Sequence, residues 1–205
     1  MNIGIVYTGT TPQLIECLES ELLRQIGHGP AIRSYADPAI LERIRVAGGL
    51  VPDAAESLLS LYWQAVRDGA DIVYNACSSV GEAAHSVKGL FALLGVSVVQ
   101  IDEEMAMEAV CLSQKVAVIA TLQTTLDPTR RLILRCAVAQ GRDVEVDGFV
   151  VDAFGLEPQR FAEALCEAGR AAALGAGAIV LAQGSMAWCE GRVADAAGIP
   201  TLSSP

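Results

Sequence analysis

Cys77 is the residue of this sequence best placed to act as a nucleophile or a proton carrier. It follows the apolar run Asp71–Tyr74 and precedes a helical pattern from Gly81, so we expect it in a turn between a strand and a helix. At such a turn the helix dipole and the backbone N–H groups stabilise a thiolate. The other five cysteines fall within helical patterns, where we expect small apolar packing residues: Cys17, Cys111, Cys136, Cys166 and Cys189.

Four turns rich in hydroxyl and amide groups follow predicted strands: Thr8–Thr11, Asn75–Ser79, Thr121–Thr125 and Gln183–Ser185. Ligands of open parallel sheets bind beyond the carboxyl ends of the strands, where helix N-termini offer N–H groups to anions. Helix capping would explain any single Ser or Thr here, but four such turns together predict a small polar pocket. The candidate substrate-binding residues are Thr8, Gly9, Thr10, Asn75, Ser78, Ser79, Thr121, Thr124, Thr125, Gln183, Gly184 and Ser185.

The elements that position these turns follow from an alternation of short apolar runs with longer amphipathic stretches, which is typical of parallel strands with helical crossovers. The predicted strands are Asn2–Tyr7, Ala31–Tyr35, Asp71–Tyr74, Ser97–Ile101, Lys115–Ala120, Val144–Val150, Ala178–Ala182 and Pro200–Leu202. The predicted helices are Thr11–Ile26, Asp53–Arg67, Gly81–Leu94, Glu103–Leu112, Thr125–Gln140, Glu157–Leu174 and Trp188–Ala197.

The two halves of the chain resemble each other in order. Ile3–Thr11 resembles Val116–Thr125, and Gly69–Ser78 resembles Ala176–Ser185. Such a repeat predicts an α/β protein of two similar three-layer lobes with parallel sheets, residues 1–102 and 103–205, related by a pseudo-two-fold. We expect the active site in the cleft between them. The last strand could pair with either sheet.

Composition excludes several classes of partner and cofactor. With 24 acidic and 14 basic residues the formal charge is -10, which repels nucleic acid and anionic membranes. No apolar run is long enough to span a membrane and no leader pattern begins the chain, so we expect a cytoplasmic protein. We expect no cofactor and no metal, because the sequence lacks a nucleotide-binding glycine motif and has only two histidines and widely spaced cysteines.

Several of these segments resemble those of a known family. Asp71–Gly81 resembles the first cysteine motif of the aspartate/glutamate/hydantoin racemase superfamily, and Val116–Thr125 resembles its strand and Thr turn in the second lobe. Ala178–Ala187 resembles the second cysteine motif. The resemblance spans nearly the whole chain and implies a cofactor-independent homodimeric enzyme. In that family two cysteines flank the substrate α-carbon, one removing a proton and the other delivering one.

This sequence departs from the family pattern at the second cysteine. That position falls on Gln183 by the motif and on Gly184 by the internal repeat, and neither residue can carry a proton as a thiol does. Related members such as arylmalonate decarboxylase and maleate isomerase show what else the scaffold implies, although the decarboxylases keep the second cysteine rather than the first. A lone Cys77 thiolate could still move a proton on one face of an enolate-like intermediate, or add to a polarised double bond.

The sequence therefore favours an isomerase or racemase-like enzyme with Cys77 as its catalytic residue, acting beside a carboxylate or carbonyl of a small anionic or carbonyl-containing substrate. Gln183 or Ser185 would donate hydrogen bonds to the carboxylate or enolate oxygen. A decarboxylase or lyase on the same scaffold is one alternative. A small-molecule binding protein without catalytic activity is another.

Overall fold

The computed structural model describes residues 1–9, 12–27 and 29–204, and for residues 12–14 it describes the backbone alone. This part of the chain forms two compact units, Met1–Ile101 and Asp102–Ser204. The first contains β1 (Asn2–Tyr7), α1 (Pro12–Ile26), β2 (Ala31–Ala36), α2 (Ala39–Ala47), α3 (Pro52–Arg67), β3 (Ile72–Asn75), α4 (Gly81–Ala92) and β4 (Ser97–Gln100). The second contains α5 (Glu103–Leu112), β5 (Lys115–Ala120), α6 (Gln123–Ala139), β6 (Glu145–Val150), α7 (Pro158–Ala172), β7 (Ala178–Leu181), α8 (Glu190–Ala197) and β8 (Thr201–Ser203).

The first unit is built on a parallel sheet with the strand order β2-β1-β3-β4. The central strand β1 pairs with β2 along its whole length and with β3 from Ile3 opposite Ile72 to Val6 opposite Asn75. Helices cover both faces of this sheet, so its central strands are apolar on both sides rather than alternating.

Each face of the first sheet has its own apolar core. Leu18 of α1 packs with Ile5 and Tyr7 on one face. On the other face, Val6 and Val73 pack with α2, α3 and α4. Because successive strand residues point to opposite faces, Asn75 and Cys77 share the side of Val73 that faces these three helices.

The second unit repeats this plan with the strand order β6-β5-β7-β8. Val116 and Val118 of β5 pack with α5 and α6, and Ala117 and Ile119 pack with α7 and α8. The short strand β8 at the end of the chain pairs with β7, which resolves the open pairing of the last strand in favour of the second sheet.

The predicted fold class is confirmed, since the chain folds into two α/β units, each with a four-stranded parallel sheet between helices. The strands Asn2–Tyr7 and Lys115–Ala120 and the helix Glu103–Leu112 have the predicted bounds. The helix α2 and two 3-10 helices, Ser78–Val80 and Gly184–Cys189, were not predicted. α2 spans nine residues and buries only Ile40 and Ile44, so its apolar pattern is short.

The cysteines outside the candidate site differ in exposure. Cys136 and Cys189 are buried and Cys166 is half-buried, as expected of packing residues. The expectation is wrong for Cys17 and Cys111, which lie on exposed helix faces. Of the helices described, none combines the length and the apolar character needed to cross a bilayer.

Candidate active site

Cys77 lies just beyond the carboxyl end of β3, between the strand and a helical segment, as the sequence predicts. Its backbone is extended, with φ −147° and ψ 117°, and the 3-10 helix Ser78–Val80 starts at the next residue. The amide of Asn75 donates a hydrogen bond to the Cys77 carbonyl at 2.8 Å. The thiol is half-buried and packs beside the core shared with α3 and α4. Cys77 is therefore held by its backbone while its side chain lies at the edge of the core.

Gln183 is the residue of the second unit equivalent to Cys77. Val6 of β1 pairs with Asn75, and the corresponding Ile119 of β5 pairs with Leu181. Cys77 lies two residues after Asn75, and Gln183 lies two residues after Leu181. Both have an extended backbone, and a 3-10 helix begins at the next residue in each case. Of the two positions that the sequence left open, Gln183 and Gly184, the register makes Gln183 the equivalent of Cys77.

The carboxamide of Gln183 has a defined orientation. Its Oε1 accepts hydrogen bonds from the backbone N–H of Thr121 at 2.7 Å and from the Thr121 hydroxyl at 2.9 Å. A backbone N–H can only donate, so the atom facing Thr121 must be the oxygen and Nε2 must point away. Gln183 is half-buried, and its Nε2 makes no hydrogen bond to the described residues. The second unit therefore carries a free amide N–H donor, Nε2 of Gln183, at the position where the first unit carries the Cys77 thiol.

Side-chain capping does not occur at the N-cap residue of the helical segments that follow β3, β5 and β7. The N-cap positions are held by Cys77, Leu122 and Gln183, and none of the three caps its helix through a side-chain hydrogen bond. Thr121 uses its hydroxyl for Gln183 instead. Capping therefore does not explain the choice of Cys77 and Gln183 at these two positions.

The first predicted turn is tied to α2. Thr8 is fully buried, and its carbonyl accepts the N–H of Leu41 at 3.1 Å. Its hydroxyl has no hydrogen-bond partner among the described residues. A Cβ on Gly9 would lie 2.5 Å from Leu41 Cδ2, so close packing against α2 explains the glycine. Thr10 lies outside the described residues.

The other candidate binding residues differ in accessibility. Ser78, Ser79 and Thr125 are buried, whereas Thr124 and Gly184 are half-buried and Ser185 is exposed. Thr124 and Thr125 belong to the first turn of α6, and Gly184 and Ser185 open the 3-10 helix after Gln183. Within each unit these residues lie at the carboxyl ends of the strands, as predicted.

Two further polar side chains on the Cys77 side of the first sheet were not found from the sequence. Gln100 ends β4 directly beside Asn75 and is 2% exposed, with no hydrogen bond from either amide atom to the described part of the chain. The strand-end rule that identified Asn75 could have identified it. Tyr62 of α3 is fully buried, with a hydroxyl that likewise lacks a partner within the described ranges. Nothing in the sequence separates it from an ordinary core aromatic.

Burial raises the pKa of one side chain in each unit, Tyr62 in the first and Cys189 in the second. Burial, and then the charge of Cys77, raise the pKa of Tyr62 well above its usual range, so its hydroxyl stays protonated. Burial also raises the pKa of Cys189 to about 11, since the nearby Arg192 offsets little of the desolvation. No three His, Cys, Asp or Glu side chains in the described ranges cluster as a metal site would require.

Solved structures with the same fold include enzymes of three kinds. Allantoin racemase from Pseudomonas fluorescens is 24% identical, with a TM-score of 0.64 over 99% of this chain and 85% of that one. Glutamate racemase RacE1 from Bacillus anthracis is 17% identical, with a TM-score of 0.69 over 98% and 76%. An arylmalonate decarboxylase is 13% identical, with a TM-score of 0.57 over 100% and 87%. At these identities the likeness shows the fold alone.

A search of curated protein sequences gives no significant match. The family model for Asp/Glu/hydantoin racemases, in contrast, matches residues 3–205, which include both strand-end positions held by Cys77 and Gln183. The match spans both units and nearly every residue. The chain therefore belongs to the Asp/Glu/hydantoin racemase family.

Proposed function

We propose that this protein is a cofactor-independent isomerase that transfers a proton, or adds its thiolate, next to a carboxylate or carbonyl group, with Cys77 as its catalytic thiol. Cys77 and Gln183 occupy equivalent strand ends, and the difference between a thiol and an amide at these positions carries the proposal. A two-thiol exchange of protons requires a second sulfur that this chain does not have at that position.

The surroundings of Cys77 suit a proton carrier. Its carbonyl is held by Asn75, and the 3-10 helix and α4 follow it directly, so backbone N–H groups are directed toward the turn. Such donors stabilise the thiolate relative to the thiol. A thiolate at this position can remove a proton from a carbon acid or add to an activated double bond.

Gln183 would serve as a hydrogen-bond donor at the strand ends of the second unit. With Oε1 held twice by Thr121, the amide cannot easily rotate, and Nε2 remains as a fixed donor. A preoriented neutral donor stabilises negative charge that develops on an enolate or carboxylate oxygen. It cannot remove or return a proton from carbon, so the contribution of Gln183 is electrostatic. The proposed reaction therefore proceeds through one thiol on one face of the intermediate.

Solvent deuterium exchange tests the proposed role of Cys77. The protein is incubated in D2O with amino acids, hydantoins and substituted malonates, and loss of the α-proton signal is followed by NMR. Removing a general base costs about 10²–10⁴-fold in rate, so Cys77→Ser is expected to exchange at least about 10²-fold more slowly. Cys17→Ser, which changes an exposed helix cysteine, is the matched control and should keep the full rate.

Equal exchange in Cys77→Ser and the unaltered protein would show that the thiol is not the proton carrier. Stabilisation of the protein by one of these compounds, without exchange or turnover in any variant, would instead identify a binding protein. Equal exchange would thus indicate catalysis by another group, and stabilisation without exchange would indicate a site that binds without catalysis.

A decarboxylase is a second candidate, because decarboxylation needs only one proton donor. In a malonate the bond between the α-carbon and one carboxylate breaks, carbon dioxide leaves, and the electron pair stays on the substrate as an enediolate. The Cys77 thiol would protonate that carbon and regain its proton from solvent. The structural likeness to arylmalonate decarboxylase favours including malonates. Release of carbon dioxide in step with product would distinguish this reaction from isomerisation.

A further inference from the structure

Gln100 carries a buried amide whose polar atoms have no protein partner. It ends β4 and is 2% exposed, and neither its Oε1 nor its Nε2 makes a hydrogen bond to the described residues. Burial of an amide without partners is costly, because the group has lost its hydrogen bonds to water. Native proteins rarely leave such a group unpaired, so Gln100 points to a partner that is not a side chain of its own unit.

Asn75 lies beside Gln100 and carries the complementary unpaired atom. β3 and β4 pair with Asn75 opposite Gln100, so both side chains point to the face of the sheet that α4 covers. Asn75 is fully buried and donates from Nδ2 to the Cys77 carbonyl at 2.8 Å. Its Oδ1 has no partner in the part of the chain that the structure describes. An unpaired acceptor therefore stands next to an unpaired donor, with no direct hydrogen bond between them.

Gly81 fixes the orientation of the Gln100 amide. A Cβ on Gly81 would lie 2.9 Å from Gln100 Oε1, so this oxygen packs against the first residue of α4. The partial positive charge of a helix N-terminus favours an oxygen over an amino group at this point. Because Nε2 is attached to the same carbon as Oε1, it is turned away from Gly81. The donor is thus directed to the other side of the amide.

The second unit pairs the equivalent residue within the chain. Ser203 ends β8 at the register position that Gln100 holds on β4. Its hydroxyl donates to the carboxylate of Glu190, the first residue of α8. In the first unit the helix begins with Gly81, which has no side chain to offer. A polar residue at the end of the fourth strand thus has a side-chain partner in one unit and needs another kind of partner in the other.

We propose that one internal water molecule accepts a hydrogen bond from Gln100 Nε2 and donates one to Asn75 Oδ1. Water fits because the two amides are neutral and require a group that both accepts and donates. Buried waters typically make about two to four hydrogen bonds to polar groups that would otherwise be unpaired. A carboxylate would satisfy Nε2 and leave Oδ1 unpaired, since it can only accept.

This water makes Gln100 a positioning residue for Cys77, a role that rests on the proposed function. Asn75 holds the Cys77 carbonyl through Nδ2, and the water holds the same amide through Oδ1. An amide held at both ends does not rotate, so the backbone that carries the thiol is fixed as well. Gln100 acts only through the water and Asn75, and no covalent bond changes.

A crystal structure of the unaltered full chain at high resolution tests the water directly. We expect an ordered oxygen about 2.7–3.2 Å from both Gln100 Nε2 and Asn75 Oδ1. A direct bond between the two amides, or well-defined side chains with no ordered oxygen between them, would overturn the inference.

Gln100→Met tests the same water in solution, because it keeps the length of the side chain and removes both polar atoms. If the water joins the two amides, the substitution leaves Asn75 Oδ1 unpaired and the urea unfolding midpoint falls. If Gln100 has no partner at all, replacing its amide with an apolar group raises the midpoint instead. The sign of the shift therefore decides, and a raised midpoint would overturn the inference.

Hydrogen exchange of the Asn75 side-chain NH2, followed by NMR, reports on the positioning role. In Gln100→Met it should become about tenfold faster, as expected when about one hydrogen bond is lost and the amide is held at one end only. Gln159→Met is the matched control, because Gln159 lies on the exposed face of α7 and donates to Glu163. It should leave the exchange of Asn75 unchanged.

The inference and the proposed function fail in different experiments. Unchanged exchange of the Asn75 amide in folded Gln100→Met would overturn the positioning role, even if Cys77→Ser loses all exchange of the substrate proton. Faster exchange of the Asn75 amide, together with a lowered unfolding midpoint, would support the water even if Cys77→Ser keeps full activity.

Discussion

The carboxamide oxygen of Gln183 accepts both the backbone N–H and the hydroxyl of Thr121, at 2.7 and 2.9 Å. Thr121 follows the central strand β5 and Gln183 follows β7, so one side chain links two neighbouring strand ends. The equivalent position in the first unit holds the Cys77 thiol. Equivalent strand ends of the two units therefore carry a thiol and a fixed amide.

Gln183→Cys would restore a second thiol at this position. With Cys77 as its one catalytic thiol, the unaltered protein should exchange the α-proton without interconverting enantiomers, whereas Gln183→Cys should racemise them. A general acid contributes about 10²-fold or more, so racemisation should exceed that of Gln183→Ala by a similar factor. Chiral chromatography of each enantiomer after incubation measures the effect. Racemisation by the unaltered protein at the rate of Gln183→Cys would contradict a one-thiol mechanism.

The Thr121 hydroxyl should contribute measurably to stability. Thr121→Val removes the bond from its Oγ1 to Gln183 while keeping the side-chain volume, which should lower the free energy of unfolding by about 1 kcal/mol. Thr124→Val is the control, since the Thr124 hydroxyl is buried without a hydrogen-bond partner in the described chain. That change should be neutral or stabilising. Urea unfolding of the two variants gives the comparison, and equal losses would show that the Thr121 bond contributes nothing.

The buried Cys189 should make stability depend on pH in the alkaline range. Its folded pKa is about 11, above the roughly 8.5 expected of an exposed thiol, so the unfolded chain ionises first. The resulting stability is complete below about pH 8.5 and is lost as pH rises toward 11. Removing the thiol should therefore flatten the decline of unfolding free energy between these limits.

Cys189→Ala tests this pH dependence against Val193→Ala, which empties a neighbouring, fully buried site of the same core without removing an ionisable group. Both changes should cost roughly 1–3 kcal/mol at pH 7, because each leaves a cavity. Only Cys189→Ala should flatten the pH profile in urea unfolding experiments from pH 8 to 11. Parallel profiles for the two variants would mean that Cys189 does not titrate in this range.

The position of Cys77 could be predicted because it depends on local pattern. An apolar run before it and a helical pattern after it place it at a strand end, and the structure agrees. The match between the two halves likewise predicted two similar sheets, because repeated apolar runs form repeated strands. These features need no knowledge of distant contacts.

The bond between Thr121 and Gln183 could not be predicted in the same way. The two residues are 62 apart in the chain, and the choice between Gln183 and Gly184 depended on strand register, which only the folded sheet supplies. Tyr62 was missed for a related reason. Its sequence context is that of a core aromatic, and its lack of a hydrogen-bond partner is a property of the packed structure.

The close packing of α3 against the first sheet depends on Gly4 of β1. A Cβ at Gly4 would lie 2.7 Å from the Cβ of Ala65 in α3, and neither atom can move without its backbone. Gly4→Ala should therefore push α3 outward and cost about 1–3 kcal/mol, the usual range for overpacking. Urea unfolding measures the loss of unfolding free energy. An unchanged unfolding midpoint would show that α3 does not pack closely against Gly4.

Ala65→Gly should partly rescue Gly4→Ala, although it costs about 1 kcal/mol by itself because glycine weakens a helix. The double variant should be more stable than the sum of the two single losses predicts, which a double-mutant cycle detects. Single losses that simply add in the double variant would show that residues 4 and 65 do not clash.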